Sequence, residues 1–114
     1  MSADCIFCKI IRGEIPSTKI YEKGNVTGFV DLHPQAKIHL LFVHKNHTSN
    51  INEMSLDPQT IGEVYQAIAE YTKKEGLDNG GFRVVTNLGR DAGQTVFHTH
   101  FHVLSGEKLG HFGS

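Results

Sequence analysis

Three histidines occupy alternate positions of one short segment, at His98, His100 and His102. If this segment is a β-strand, its two-residue period places the three imidazoles on one face, about 6.5–7 Å apart along the strand. The residues of opposite parity then point toward a core: Phe97, Thr99, Phe101 and Val103. Outward strand positions usually carry Thr, Lys, Glu or Arg, so three titratable rings in a row indicate a functional site.

Imidazoles in this arrangement have four possible roles. They can be ordinary exposed side chains, or His100 and His102 can form a His-x-His metal pair. One imidazole can act as a nucleophile or base while its neighbours tune it and bind an oxyanion. The strand can also bind an anionic ligand without doing chemistry. No Asp or Glu lies close in sequence to complete a hydrolytic metal shell, but the residues alone leave these alternatives open.

The segment before the histidines favours an anionic ligand. Gly89 and Gly93 allow the backbone to fold so that successive N–H groups converge on a phosphate, although an ordinary glycine turn is the alternative. Gln94 and Thr95 add an amide and a hydroxyl donor. Imidazole can attack phosphorus directly, and the resulting phosphoramidate is readily hydrolysed because protonated imidazole is a good leaving group. Flanking histidines and backbone amides can stabilise the charge of that step.

A second chemical motif is the pair Cys5-x-x-Cys8. It can be a redox couple, half of a zinc site or two unligated thiols. A redox motif of the thioredoxin kind follows a core strand, and no strand precedes this pair. A zinc site requires two further ligands.

The composition predicts a single domain over residues 1–114. With a net charge of −1 and no Lys/Arg cluster, the chain is not expected to bind nucleic acid. Its longest apolar run, Leu40–Val43, is far shorter than a membrane span, so no membrane partner is expected. No signal-peptide pattern opens the sequence, which leads us to expect a cytoplasmic protein.

The remaining patterns predict the elements that position these residues. Residues 5–12 have helical spacing and end at Gly13. A long helix starts at the Asp57 N-cap with Pro58 at its first position, and ends at Gly76. Its apolar stripe is Ile61, Val64, Tyr65, Ile68 and either Tyr71 or Thr72. Five strands are predicted: Lys19–Glu22, Thr27–Leu32, Ile38–His44, Gly81–Leu88 and His98–Leu104. The fold class is therefore α+β, with a mostly antiparallel five-stranded sheet, one long helix and a short N-terminal helix.

The segment His98–Leu104 resembles the histidine triad (HIT) motif, His-φ-His-φ-His-φ-φ with φ apolar, although Thr99 is less apolar than usual. The segment Cys5–Pro16 is similar to the N-terminal signature of the Hint branch of that family. Asp31–Ala36, His39 and Gly93–Phe97 also match in order, so the resemblance covers essentially the whole chain. It implies a HIT-like fold and a purine nucleoside phosphoramidase type of activity.

The resemblance also implies roles for catalytic residues. His100 matches the nucleophile that takes the nucleotidyl group from the α-phosphorus. His102 and His39 match histidines that orient it and contact phosphate, and Thr95 matches the donor to the leaving group. The chemistry needs no cofactor in this family.

The substrate-binding positions follow from the same resemblance. Gly93, Gln94, Thr95 and Val96 match the α-phosphate cradle, and Asn87 matches a polar residue near the phosphate. Asp31 matches the carboxylate that accepts the ribose hydroxyls, while Phe7, Ile10 and Leu32 match the purine pocket. His100 and His102 contact the substrate as well.

Zinc ligands and partners are also implied. His47 and His98 match the family positions that complete a structural zinc site with Cys5 and Cys8. Expected partners are a purine nucleotide conjugate and a second copy of the chain, paired through the long helix and the Gly81–Leu88 strand. Thr95 stands where the Hint branch usually has Ser, and dinucleoside polyphosphate hydrolases often carry Thr there. That activity is therefore an alternative, as is a non-catalytic nucleotide-binding scaffold.

Overall fold

The structure is a computed structural model that describes residues 5–111. The first four and last three residues of the predicted domain lie outside this part. The strands are β1 (Lys19–Lys23), β2 (Val26–Val30), β3 (Ile38–His44), β4 (Phe82–Val85) and β5 (His100–Ser105). The helices are α1 (Ile6–Ile11), α2 (Ile51–Met54), α3 (Pro58–Lys74) and α4 (Leu77–Gly80), with a 3₁₀ turn at Arg90–Ala92. The strands form one antiparallel sheet in the order β1-β2-β3-β5-β4, which confirms the predicted α+β class.

The histidine strand begins two residues later than predicted, at His100 instead of His98. The preceding Thr99 does not pair with β3, because its amide donates to the carbonyl of Thr48 at 2.8 Å. Strand parity therefore does not extend back to Phe97, which was expected to face the core and is instead 61% exposed. The predicted Gly81–Leu88 strand is also shorter in the structure, where only Phe82–Val85 form β4.

Both faces of the central strands are covered. On β3, Leu40 and Phe42 face the larger core under α3, while Leu41 and Val43 face a smaller core that includes Phe7 and Ile10 of α1. The expectation of a half-buried strand with outward imidazoles is therefore wrong, because α1 lies over the face that carries them. This burial determines the chemistry of the histidines.

Helix α3 follows most of the predicted pattern. It starts at Pro58 after Asp57, whose side chain makes no capping bond, and Gly76 follows its end with a positive φ of 74°. Val64, Ile68 and Thr72 are buried, as the stripe predicts. Tyr65 departs from it: its ring makes a T-shaped contact with Phe101, and 47% of the residue stays exposed. Among residues 5–111, no helix combines the length and apolarity that a membrane crossing requires.

Candidate active site

The three histidines lie in three different surroundings. His98 is buried beside the two cysteines, His100 is buried at a cleft, and His102 lies against His39. The different environments arise because α1 carries Cys5 and Cys8 to one end of the histidine segment, while β3 carries His39 to the other. One sheet face thus contains three unequal sites.

A cleft of about 310 Å³ lies at His100 and His102. Eight of the predicted site residues line it: Phe7, Ile10, Asp31, Leu32, Thr95, Val96, His100 and His102. The predicted residues His39, Asn87, Gly93 and Gln94 are not among its lining residues. The sequence reasoning missed the other lining residues: Ile6, Ile15, Pro16, Ser17, Phe29, Val30, His33 and Leu41. The parity of β3 is a signal that could have found Leu41, which shares its face with His39.

A larger groove, of about 520 Å³, lies between α4 and the end of β5. Its lining includes four glycines together with Glu107 and Lys108, and no imidazole or thiol. The smaller cleft, which His100 and His102 line, is therefore the candidate active site.

The His100 ring has a defined proton position. Its Nδ1 lies 2.7 Å from the carbonyl oxygen of His98, and a carbonyl can only accept, so Nδ1 carries the proton. Nε2 consequently retains its lone pair. The edge-to-face contact with the Phe7 ring, at 5.0 Å between centroids, further fixes the ring plane. Burial lowers the pKa of His100, which favours the neutral, nucleophilic form.

A hydrogen-bond chain fixes the next two rings in the same way. The amide of Gln35 donates to His39 Nδ1 at 3.0 Å, so the His39 proton is on Nε2. That Nε2–H lies 2.9 Å from His102 Nδ1 and 3.3 Å from Asp31 Oδ2. His102 Nδ1 is therefore an acceptor, and its own proton is on Nε2. The site thus combines one imidazole that presents a lone pair with one that presents an N–H donor.

Burial keeps this pair neutral. Burial, followed by the neighbouring His100 and His39, lowers the pKa of His102 to about 4, although Asp31 acts in the opposite direction. Burial also lowers the pKa of His39, again against the effect of Asp31. The imidazole that this pair presents to the cleft, His102, is therefore uncharged.

We expect acid to destabilise the fold through His102. The unfolded chain binds a proton at this histidine near pH 6.5, and the folded chain only near pH 4, so stability falls as pH drops between these values, by up to about 1.4 kcal/mol per pH unit. In His102→Asn the amide oxygen still accepts from His39 but does not titrate. Urea unfolding of metal-free protein at pH 7 and pH 5 should show a smaller loss for this variant. An equal loss in both proteins would contradict a neutral, buried His102.

The loop before β5 is held by Gln94. Its Oε1 accepts the amide of Gly89 at 2.9 Å, and its Nε2 donates to the carbonyl of Ser49 at 2.7 Å. Gly89 and Gly93 have φ values of 89° and 87°, as the predicted glycine turn requires. The Gly93 amide donates to the Arg90 carbonyl, so the amides of both glycines serve the fold of the loop. The part of the loop that reaches the cleft wall is Thr95 and Val96.

The four predicted metal-ligating residues meet at one point. His98 Nδ1 lies 3.3 Å from Cys5 Sγ, 3.4 Å from Cys8 Sγ and 3.1 Å from His47 Nδ1, and Cys8 Sγ lies 3.5 Å from His47 Nδ1. A tetrahedral zinc ion with usual bond lengths requires about 3.5 Å between S and N donors and about 3.3 Å between two N donors. The four donors therefore lie close enough to bind a metal ion, and their spacing fits tetrahedral coordination.

The proton positions support this interpretation. His98 Nε2 lies 2.9 Å from the carbonyl oxygen of His44, so it carries the proton and leaves Nδ1 as a lone pair among the two sulfurs and His47. Burial raises the pKa of the Cys5 thiol, and the Cys8 side chain acts in the same direction, against the hydrogen bond from the Cys8 amide. A cation would remove the repulsion among these donors.

Asp31, His39 and His102 also lie within metal-binding distance of one another. Here the short distances already have an explanation, because the Gln35 amide determines the proton positions in the His39–His102 pair. A metal would have to displace the proton on His39 Nε2. The chemistry of this group is therefore hydrogen bonding.

Three alternating histidines, at the start of one strand and just before it, that occupy three separate environments are typical of the histidine-triad class. The chain matches the model of the HIT domain over residues 12–109 and belongs to the HIT family. It is 38% identical over 111 residues to the purine nucleoside phosphoramidase of Escherichia coli, covering 96% of this chain and 93% of the relative. It is 40% identical over 103 residues to a HIT-like protein of Helicobacter pylori, covering 90% of this chain and 97% of the relative.

Solved structures agree with this assignment. A histidine triad protein from Clostridium difficile superposes with a TM-score of 0.93 and 43% identity, covering 97% of each chain. A HIT family hydrolase from Clostridium thermocellum superposes with a TM-score of 0.90 and 38% identity, covering 96% of each chain. These similarities confirm the family and the fold that the sequence motif implied.

Proposed function

We propose that this chain is a nucleotide-binding hydrolase that cleaves nucleoside phosphoramidates at the α-phosphorus through a nucleotidyl intermediate on His100. The observation that carries the proposal is the hydrogen bond from His100 Nδ1 to the His98 carbonyl, which leaves the Nε2 lone pair for attack. The name of the E. coli relative, purine nucleoside phosphoramidase, supports the substrate class.

The reaction has two displacements. His100 Nε2 attacks the α-phosphorus and the phosphorus–nitrogen bond to the amine breaks, with the electron pair leaving on nitrogen. The amine takes up a proton from solvent, relayed by the Thr95 hydroxyl and His102, both of which line the cleft. Water then attacks the same phosphorus and gives up a proton through the same pair. The bond to His100 breaks, its electron pair returns to Nε2, and the nucleoside monophosphate is released. His102 Nε2–H and the Thr95 and Val96 backbone would stabilise the charge on the phosphoryl oxygens.

The cleft has the apolar walls and polar end that a nucleoside needs. Phe7 and Ile10 are buried beneath it and Leu32, 83% exposed, lies at its edge, which suits a flat base. Asp31 accepts the His33 amide at Oδ1 and faces His39 at Oδ2, and each oxygen keeps a further lone pair for a ribose hydroxyl. His39 acts through its hydrogen bond to His102. Gly93 and Gln94 support the loop that reaches the phosphate, Asn87 is proposed to lie near the phosphate as in the family, and purine is the proposed base.

We assign zinc to the cluster of Cys5, Cys8, His47 and His98. Two thiolates and two imidazoles in tetrahedral spacing form the donor set typical of structural zinc sites. When bound, the ion joins the start of α1 to the segment that precedes the nucleophile. Its contribution is structural, and no step of the displacement passes through it.

We also propose that the active form is a homodimer. β4 is an edge strand of the sheet, and its Phe82 is exposed, as is Tyr65 on α3. Pairing through this edge would protect the free hydrogen-bonding groups of an edge strand. The nucleotide cleft lies on the α1 side of the sheet, so the proposed pairing leaves it open.

A parallel assay tests the substrate class. We expect an adenosine 5′-phosphoramidate to be cleaved with a kcat/KM at least about tenfold above that of a diadenosine polyphosphate, because Thr95 and His102 can relay the proton that an amine leaving group needs and a polyphosphate does not. The measurement is the release of AMP from each substrate at equal enzyme concentration. The reverse order would identify a dinucleoside polyphosphate hydrolase. Tight AMP binding with no turnover of either substrate would identify a non-catalytic scaffold.

A further inference from the structure

His44 is a buried polar residue at the end of β3 for which the proposed reaction has no use. Both nitrogens of its ring are occupied. Nδ1 accepts the amide of Asn46 at 3.0 Å, and Nε2–H donates to Glu63 Oε1 at 2.6 Å. The first bond fixes the proton on Nε2, so the ring is locked between a turn of the chain and helix α3.

The main chain of the same residue reaches the metal cluster. The His44 carbonyl oxygen accepts the Nε2–H of His98 at 2.9 Å, which directs His98 Nδ1 toward the other donors. The amide that the His44 ring holds belongs to Asn46, which directly precedes His47. Both histidine donors of the cluster therefore depend on His44, one through its carbonyl and the other through its ring.

Glu63 anchors this arrangement from α3. Its carboxylate receives the His44 bond and side-chain hydrogen bonds from Asn25 and Gln59. The bond from His44 is the main reason why the pKa of Glu63 is lowered, so the acceptor stays ionised. A charged acceptor on a 17-residue helix gives the His44 ring a fixed partner on the far side of the sheet from α1.

We propose that Glu63 and His44 are positioning residues for the metal centre of Cys5, Cys8, His47 and His98. Glu63 holds the His44 ring, the ring holds the turn before His47, and the His44 carbonyl holds His98. The inference rests on the proposed zinc site. Partners that orient metal-ligating histidines typically contribute about 10–100-fold to metal affinity.

The experiment measures metal binding by the full-length chain. Zn²⁺ affinity is determined by competition with a chromogenic chelator, and the absorption spectrum of the Co²⁺-loaded protein reports donor geometry. Glu63→Ala removes the acceptor at a partly exposed position of the helix, where alanine has a high helix propensity. Glu63→Gln keeps an oxygen that can accept from His44. The matched control is Glu70→Ala, which removes an equal charge from the same helix and also breaks a hydrogen bond to a strand, from the Tyr21 hydroxyl.

We expect Glu63→Ala to weaken Zn²⁺ binding about tenfold and to shift the Co²⁺ bands, and His44→Phe to weaken binding further. Glu63→Gln should recover affinity to within about threefold, because the hydrogen bond is restored without its charge. Glu70→Ala should match the wild type in affinity and spectrum. Equal affinity and spectra for Glu63→Ala and Glu70→Ala would overturn the positioning role alone. A wild-type chain that binds neither ion would overturn the zinc site and this inference together.

Discussion

Replacement of His100 by alanine is expected to lower turnover of a nucleoside phosphoramidate by about 10⁴–10⁶-fold while leaving nucleotide binding within a few-fold. The effect is large because His100 Nε2 is the proposed nucleophile. His102 cannot replace it, because His102 presents an N–H to the same cleft and not a lone pair. Binding should persist because the apolar walls and Asp31 are untouched. The measurements are single-turnover AMP release and AMP affinity by calorimetry.

Three further measurements sharpen this test. Mass spectrometry of quenched wild-type reactions should show a nucleotidyl adduct on His100, and none in the variant. His100→Asn, whose amide can still donate to the His98 carbonyl, should be as inactive as alanine, which separates nucleophilicity from positioning. The exposed His111 provides the control, because His111→Ala removes an imidazole that does not line the cleft. Retention of more than about a tenth of wild-type turnover by His100→Ala would contradict the assigned nucleophile.

The elements were largely predictable because their signals are local. Strand β3 matches its predicted bounds, since a β-branched and aromatic run between turns has few other solutions. Pro58 and Gly76 mark the start and end of α3 for equally local reasons. The short helices α2 and α4 have four residues each, too few for a periodic pattern, and were missed.

What could not be predicted depends on contacts between distant segments. The sequence predicts a helix over residues 5–12, close to the observed α1, but nothing in its own residues shows that it covers the histidine face and buries His98 and His100. The motif predicts Gln94 in the phosphate cradle, but no local pattern predicts the bond from its side chain to the Ser49 carbonyl, 45 positions away. The His44–Glu63 bond likewise joins the central strand to helix α3, 19 positions further along the chain. The proton on His102 is likewise placed by a distant residue, His39, 63 positions away, whereas the proton on His100 is placed by the nearby His98 carbonyl.

Removal of the metal is expected to have the second large effect. A ligand that binds only the folded state at a concentration about 1,000 times its Kd stabilises that state by about 4 kcal/mol. For a chain of this size, this corresponds to a fall of roughly 15 °C in Tm when a chelator or Cys8→Ala removes zinc. Turnover should fall as well, because His98 donates from Nε2 to His44 and accepts from His100 at its carbonyl, so a loosened His98 loosens the nucleophile.

The design separates loss of metal from loss of the cysteine. In chelator, wild type and Cys8→Ala should melt at nearly the same temperature, since the alanine then removes only one small buried group. Without chelator, the wild type should be much the more stable of the two. Lys9→Ala, on the same helix beside Cys8, leaves all four donors in place and should keep the full response to chelator. A wild-type chain that carries less than about half an equivalent of zinc and melts at one temperature with or without chelator would show that the four side chains form no metal centre.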